Sequence, residues 1–237
     1  MTTRGTRRIV LLFTFAAGSV DAIAYLSAHV FTANMTGNAV LMGIYLGQGR
    51  GAAAANSLVA MIVFIAGIVL GAMLAGEAGD KATTLAAVRR EVVVETAILA
   101  VFAAAFLLPM PRDGKTVTLL VIISSALAMG LQSAAVKRLH LPGIATTYIT
   151  GTITNLFFGL TQHWGPGHRV SAKDSPSATP ALKRFLILQA EVFICYALAA
   201  LLCGALYTRW PSLVAWFPVA AIAAVAVAMS SPRSTTF

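Results

Sequence analysis

The fold is decided by the apolar run IVLLFTFAAGSVDAIAYLSA, which covers residues 9–28 and contains a single charged residue, Asp21. A stretch of about 20 predominantly apolar residues is long enough to cross the hydrocarbon core of a bilayer as an α-helix. Arg7 and Arg8 stand directly before the run, as is typical of the cytoplasmic end of a membrane helix. The run therefore predicts an uncleaved first membrane helix rather than a cleaved signal peptide.

The rest of the chain has the same apolar character. Its 237 residues are 58% hydrophobic and 11% charged, and the mean hydropathy is +0.83. A soluble domain carries about 25% charged residues, so the composition excludes a conventional soluble enzyme and a disordered tail. All 17 Lys and Arg residues lie between or beyond the apolar stretches. The net charge of +9 is therefore explained by membrane topology and not by nucleic-acid binding.

Eight apolar windows, separated by charged or Pro- and Gly-rich breaks, divide the chain. They cover residues 9–28, 34–49, 51–76, 92–111, 116–136, 143–162, 185–208 and 210–232. The second and sixth windows open with polar clusters of Thr, Asn and Gly, which indicates short, broken or re-entrant helices. The sequence predicts an all-α polytopic membrane protein with one integral membrane domain, 1–237. It has either six spanning helices plus two short or re-entrant ones, or eight spans.

Three short motifs recur in the same order in the two parts of the chain. The matching stretches are 18–22 with 130–134, 32–38 with 146–152, and 67–72 with 200–205. They predict two related halves of four windows each, about 1–112 and 113–237, an arrangement that recurs in transporters and channels. More of the bases fall on the cytoplasmic side if the second and sixth windows are re-entrant, which favours inverted halves. Both arrangements leave both termini in the cytoplasm.

Asp21 is the most informative polar residue, because a charged side chain inside the membrane is costly unless it is protonated, paired or facing a wet cavity. Gly18, Asp21 and Tyr25 follow a spacing that places them on one helical face. That face can line a path for a solute or a proton. Alternatively, Asp21 caps an unwound stretch or bonds a neighbouring helix.

Two Thr-Gly elements begin the two short windows. A helix N-terminus inside the membrane presents free N–H groups and a partial positive charge, which suit an anion or a polar solute. We expect Gly37 and Gly151 to approach each other there, although tight helix packing also explains such residues. The candidate residues of the path are Asp21, Tyr25, Asn34, Thr36, Gly37, Asn38, Gln132, Thr150, Gly151, Thr152, Asn155 and Glu191.

Two glutamates lie nearer the ends of their windows. Glu95 is expected to reach the membrane interface by snorkelling. Glu191 is expected to be more buried and is a candidate proton site. The histidines show no metal-binding spacing, Cys195 and Cys203 are too far apart on one helix for a disulfide, and no catalytic or nucleotide-binding motif is present. The sequence thus predicts no metal, no cofactor and no enzyme.

The run from Gly18 to Leu26, followed by the run from Phe31 to Asn38, resembles the YoaK-like family of bacterial multi-pass membrane proteins, whose function is unknown. The stretches 130–138 and 150–155 are similar to a second characteristic region of that family, although Ser133 stands where the family pattern has Asn. The resemblance implies helical architecture and a bacterial plasma-membrane location. It implies no substrate and no site residues.

The leading hypothesis is therefore a transporter or channel for an unidentified small solute, in contact with the lipid bilayer and with no nucleic-acid partner. A non-transporting membrane scaffold is the alternative, since Gly67-x-x-x-Gly71 and Ala200-x-x-x-Gly204 can serve helix packing or homo-oligomer formation. An intramembrane enzyme that uses Asp21 and Glu191 is a third hypothesis.

Overall fold

The computed structural model describes residues 4–75, 81–109, 114–139, 149–164 and 178–230, and within them the secondary structure is helical, with no strand. The helices are α1 (Arg4–Ala28), α2 (Met35–Gly47), α3 (Gly51–Ala75), α4 (Lys81–Ala105), α5 (Lys115–Arg138), α6 (Ile149–Trp164), α7 (Ala178–Tyr207), α8 (Pro211–Val214) and α9 (Trp216–Ser230). The predicted all-α architecture is confirmed, and α2 is short, as the polar start of its window predicted.

Five helical stretches of the described chain are long and apolar enough to cross a membrane. They are Gly5–Ala28, Gly51–Leu74, Lys115–Arg138, Arg184–Tyr207 and Pro211–Ser230. Helix α4 has 25 residues but falls outside this group. It begins at Lys81 rather than at residue 92, and its N-terminal half contains Arg89, Arg90 and Glu91.

The closest helix pairs join the first part of the chain to the second. Helix α3 packs along α5, and α1 packs along α7. Helix α4 packs on α5 and α9, and α9 packs on α1, whereas α2 lies on α3 and α6 lies on α7. The main apolar core is built from α1, α4, α5 and α9, through side chains such as Phe13, Leu99, Phe102, Met129 and Ile222.

Helices α1 and α7 run in the same direction. The Cys195 thiol donates to the Leu11 carbonyl oxygen at 3.4 Å, and further along both helices Gly18 lies against Ala199. Helices α3 and α5 are also parallel, because Gly67 lies against Gly130 and, one turn later in both helices, Gly71 lies against Ala134. The α1–α7 pair and the α3–α5 pair are therefore both parallel.

Helices α1 and α5 are antiparallel. Near the start of α1, the Phe13 carbonyl oxygen accepts a hydrogen bond from Gln132 Nε2, near the end of α5. At the other end of α1, Ala28 shares a small apolar cluster with Ala60 and Ile122, which belong to the first halves of α3 and α5. The end of α1 and the start of α3 therefore lie on the same side of the bundle.

Glycines allow both parallel pairs to approach closely. A Cβ placed on Gly18 would lie 2.6 Å from the Tyr196 carbonyl oxygen of α7. A Cβ placed on Gly130 would meet the Phe64 carbonyl oxygen and would lie 2.9 Å from the Gly67 Cα of α3. Small residues at such crossings are how membrane helices maximise backbone contact.

Some expectations fall outside the described residues. They concern the repeat stretch 146–148, the boundary between the halves at 112–113, both termini and the middle of the polar break 163–184. That break is shorter than predicted, because α6 continues to Trp164 and α7 already begins at Ala178.

Candidate functional site

Asp21 organises the break between α1 and α2. Its Oδ1 accepts hydrogen bonds from the backbone N–H groups of Thr32 and Ala33, each at 2.7 Å. Its Oδ2 accepts a hydrogen bond from the Tyr196 hydroxyl of α7. The Asp21 side chain is buried. It therefore satisfies backbone donors that a non-helical segment would otherwise leave unbonded, and it ties that segment to a third helix.

The chain turns back sharply after α1. His29 has a φ of 54°, in the left-handed region that commonly ends a helix, and its N–H still donates to the Tyr25 carbonyl oxygen at 3.0 Å. Thr32 and Ala33 then return to the level of Asp21. Because Asp21 precedes the end of α1 by two helical turns, this level lies roughly 10 Å inside that end.

Asn38 and Asn34 fix the start of α2 against the returning segment. The Asn38 Oδ1 accepts from the Phe31 N–H at 2.9 Å, and the Asn38 Nδ2 donates to the Phe31 carbonyl oxygen at 2.5 Å. Asn34 caps the helix, since its Oδ1 accepts from the Gly37 N–H at 3.2 Å. Two amide side chains therefore hold the segment without a regular helix.

The candidate residues around this break divide into a buried and an exposed set. Asp21 and Asn38 are buried, with no more than 3% of either residue exposed. Tyr25, Asn34 and Thr36 are exposed, and the Tyr25 ring stacks on the Phe31 ring with 5.1 Å between centroids. The buried set shapes the backbone, and the exposed set presents accessible polar groups at the break.

The candidate residues of the second half lie elsewhere. Gln132 is fully buried between α5 and α1. In α6, Thr152 is buried whereas Thr150 and Asn155 are exposed. Among the helix pairs that pack closely in the described chain, α6 contacts α7 and α2 contacts α3, and the two short helices do not form such a pair. The expected approach of Gly37 to Gly151 therefore receives no support from the packing.

Glu95 and Glu191 differ in burial from what the sequence predicted, and each has the environment expected for the other. Glu191 lies at the edge of the bundle, where its carboxylate pairs with Arg7, and 24% of its side chain is exposed. Glu95 is fully buried instead of snorkelling. The reason is that α4 starts earlier than predicted, so that Glu95 lies near the middle of the helix rather than near its beginning.

Sequence reasoning missed three residues that the structure brings into polar contacts. Tyr196 reaches Asp21 across α1 and α7, and no local pattern signals it. Glu91 pairs with Arg138, with 3.0 Å between Glu91 Oε1 and Arg138 Nε. The signal available for Glu91 was its spacing of four from Glu95, which places both carboxyls on one helical face.

No ligand set for a metal is evident in the described part of the chain. There, no group of three or more His, Cys, Asp or Glu residues is arranged to hold an ion. Cys195 and Cys203 are both free thiols.

These features define a multi-pass helical membrane protein whose first span is followed by a break held inside the bundle. Residues 9–228 match the family described as a protein of unknown function, DUF1275, and the chain belongs to this family. It is similar to the UPF0700 transmembrane protein YoaK of Bacillus subtilis (strain 168), with 34% identity over 224 residues, covering 94% of this chain and 93% of that protein. No solved structure matches the chain.

Proposed function

We propose that this protein provides a path for a small polar solute across the bacterial plasma membrane, as a transporter or channel. The observation that carries the proposal is the α1–α2 break, which Asp21 holds roughly 10 Å inside the end of α1. Non-helical backbone at membrane depth is tolerated only where protein buries it or where it lines a water-filled cavity. Such breaks are typical of transport proteins.

The direction of the helices supports a re-entrant α2. Since α1 ends and α3 begins on the same side of the bundle, the segment between them enters the membrane and returns. Helix α2 has 13 residues, about 20 Å, which is too short to cross the hydrocarbon core of about 30 Å. Its N-terminus, capped by Asn34, then lies within the bilayer and presents the positive end of a helix dipole.

The packing pattern supports two inverted halves. Helices α1, α2, α3 and α4 can be matched with α5, α6, α7 and α9. The α1–α7 contact then corresponds to α5–α3, the α9–α1 contact to α4–α5, and the α6–α7 contact to α2–α3. The glycine crossings correspond as well, because Gly18 meets Tyr196 where Gly130 meets Phe64. Antiparallel α1 and α5 are what an inverted repeat requires. Both termini are then cytoplasmic, as the distribution of bases favours.

The exposed polar set at the break is the proposed contact surface for the solute. Tyr25, Asn34 and Thr36 offer hydroxyl and amide groups beside the N-terminus of α2. An uncharged polar solute or a small anion fits this chemistry better than a cation, because the helix N-terminus carries partial positive charge. Asp21 contributes by positioning, since both of its oxygens are already engaged by protein donors.

The test is solute flux through purified protein in liposomes, followed by stopped-flow light scattering after an osmotic step. Urea, glycerol and formate serve as the probes. Gly37→Leu should reduce flux at least tenfold, because a Cβ at Gly37 already lies 2.7 Å from the Phe31 ring. Gly43→Leu is the matched control in the same helix, since a Cβ there has no described neighbour within 4 Å. Folded protein that passes none of the probes, or equal flux in both variants, would contradict the proposal.

A further inference from the structure

Helix α4 carries a buried carboxyl that the proposed path does not use. Within the part of the chain that the structure describes, no part of Glu95 is exposed and neither of its side-chain oxygens has a hydrogen-bond partner. An ionised carboxylate without a partner in such a place costs far more than a neutral carboxylic acid does. The side chain is therefore arranged to hold a proton.

Among the described residues, the carboxylate of Glu91 lies next to Glu95, and the cation Arg138 binds that carboxylate. Glu91 lies one helical turn earlier on the same face of α4, and its Oε2 is also buried, with no hydrogen-bond partner among the described residues. The Arg138 guanidinium of α5 binds Glu91 Oε1 at 3.0 Å and the Gly71 carbonyl oxygen of α3 at 3.1 Å. The Glu91–Arg138 ion pair has no net charge, so Glu91, Arg138 and a protonated Glu95 are neutral together.

No other charged group competes for Glu95 among the described helices that pack closely on α4. Helices α3 and α9 contain no Asp, Glu, His, Lys or Arg. The remaining charges of α5 are Lys115 at its far end and the exposed Lys137, and on α4 itself Arg89 and Arg90 are exposed. Among the described residues, Arg138 is the cation that binds Glu91, the carboxylate next to Glu95 on the same face of α4.

We propose that Glu95 is a proton-binding site, loaded from the side of the bundle where Arg138 reaches solvent. The proton arrives from water onto one Glu95 oxygen, and no other bond is formed or broken. When it leaves, the charge on Glu95 repels the Glu91 carboxylate one helical turn away, which weakens the Glu91–Arg138 pair that joins α4 to α5 and α3. A metal cation fits less well, because hard cations take about six or more oxygen ligands and a proton needs one.

This proton site couples to solute movement only if the proposed function holds, so proton binding is measured first and without any solute. Infrared difference spectra of the full chain in nanodiscs, recorded across a pH titration, report the C=O stretch of a protonated buried carboxyl. Glu95→Gln should abolish that band, and Glu95→Asp should shift it. In wild-type protein the band should move to lower frequency in D₂O.

Glu191→Gln is the control for loss of a carboxyl at the bundle edge, and it should leave the band in place. A wild-type spectrum without the band, or a band that survives Glu95→Gln, would overturn the proton site. In liposomes, a pH gradient should accelerate flux of the best probe in wild type and lose that effect in Glu95→Gln. Absence of flux with an intact band would refute only the transport proposal.

Discussion

The crossing of α3 and α5 gives the sharpest prediction of stability. In Gly130→Ala, the added Cβ meets the Phe64 carbonyl oxygen and lies 2.9 Å from both the Gly67 Cα and the Ile68 nitrogen. These are backbone atoms, so relief to the ordinary contact of at least 3.4 Å moves the helices apart by about 0.5 Å or more. Overpacking costs about 1–3 kcal/mol, and because no side chain can give way we expect about 3 kcal/mol.

The expected loss corresponds to a fall in Tm of about 6–12 °C, at roughly 2–4 °C per kcal/mol for a chain of this size. The assay is thermal unfolding of purified protein in detergent, followed by retention of the monodisperse peak in size-exclusion chromatography. Gly204→Ala and Gly43→Ala are the matched controls, because a Cβ at either position would have no atom of the described residues within 4 Å. If Gly130→Ala melts within 2 °C of these controls (about 1 kcal/mol or less), the close approach of α3 to α5 is refuted.

The remaining predictions concern charge and topology. Asp21→Asn should keep the fold, because an amide oxygen still accepts the two backbone N–H groups. Asp21→Ala should destabilise the chain by about 1–3 kcal/mol for each donor left unsatisfied, and thermal unfolding in detergent compares the two variants. Arg138→Ala should lower the stability of the fold by about 3–5 kcal/mol, because it leaves the buried Glu91 without its cation, and Arg138→Lys should restore part of that loss. Equal melting temperatures of the wild type and the two variants would contradict this prediction. Reporter fusions after Phe237 and within 165–180 should both be cytoplasmic, and a periplasmic signal from either would contradict the proposed topology.

Helix positions were largely predictable from the sequence, because length and hydropathy decide which segments enter a bilayer. The windows 9–28, 51–76 and 116–136 agree with α1, α3 and α5 to within a few residues, apart from the extra turn at the start of α1. The start of α4 was not predictable in this way. Its first turns are charged, and hydropathy cannot distinguish a charged segment outside the membrane from one whose carboxyls are buried against another helix.

The site was predictable only where the signal is local. Asp21 stood out because one carboxyl interrupts an apolar run, and the polar start of the second window marked the break. Its bonds to Thr32 and Ala33 match the alternative in which Asp21 caps an unwound stretch. Tyr196 was missed because its contact depends on how α7 packs on α1, which no spacing within either helix encodes. The burial of Glu95 was missed for a different reason, because α4 starts earlier than hydropathy indicates.

The hydrogen bond between Asp21 and Tyr196 has a consequence for the synthesis and membrane insertion of the protein. The two residues are separated by 175 positions. At a synthesis rate of about 5–20 residues per second, Asp21 emerges roughly 9–35 s before its partner. Throughout that interval the nascent first helix holds a carboxyl that lacks one of its final donors, and the face of α1 around Gly18 has not yet met α7. Premature release from the insertion machinery would then expose this face to lipid or to other nascent chains, so the timing of α7 synthesis becomes a determinant of yield.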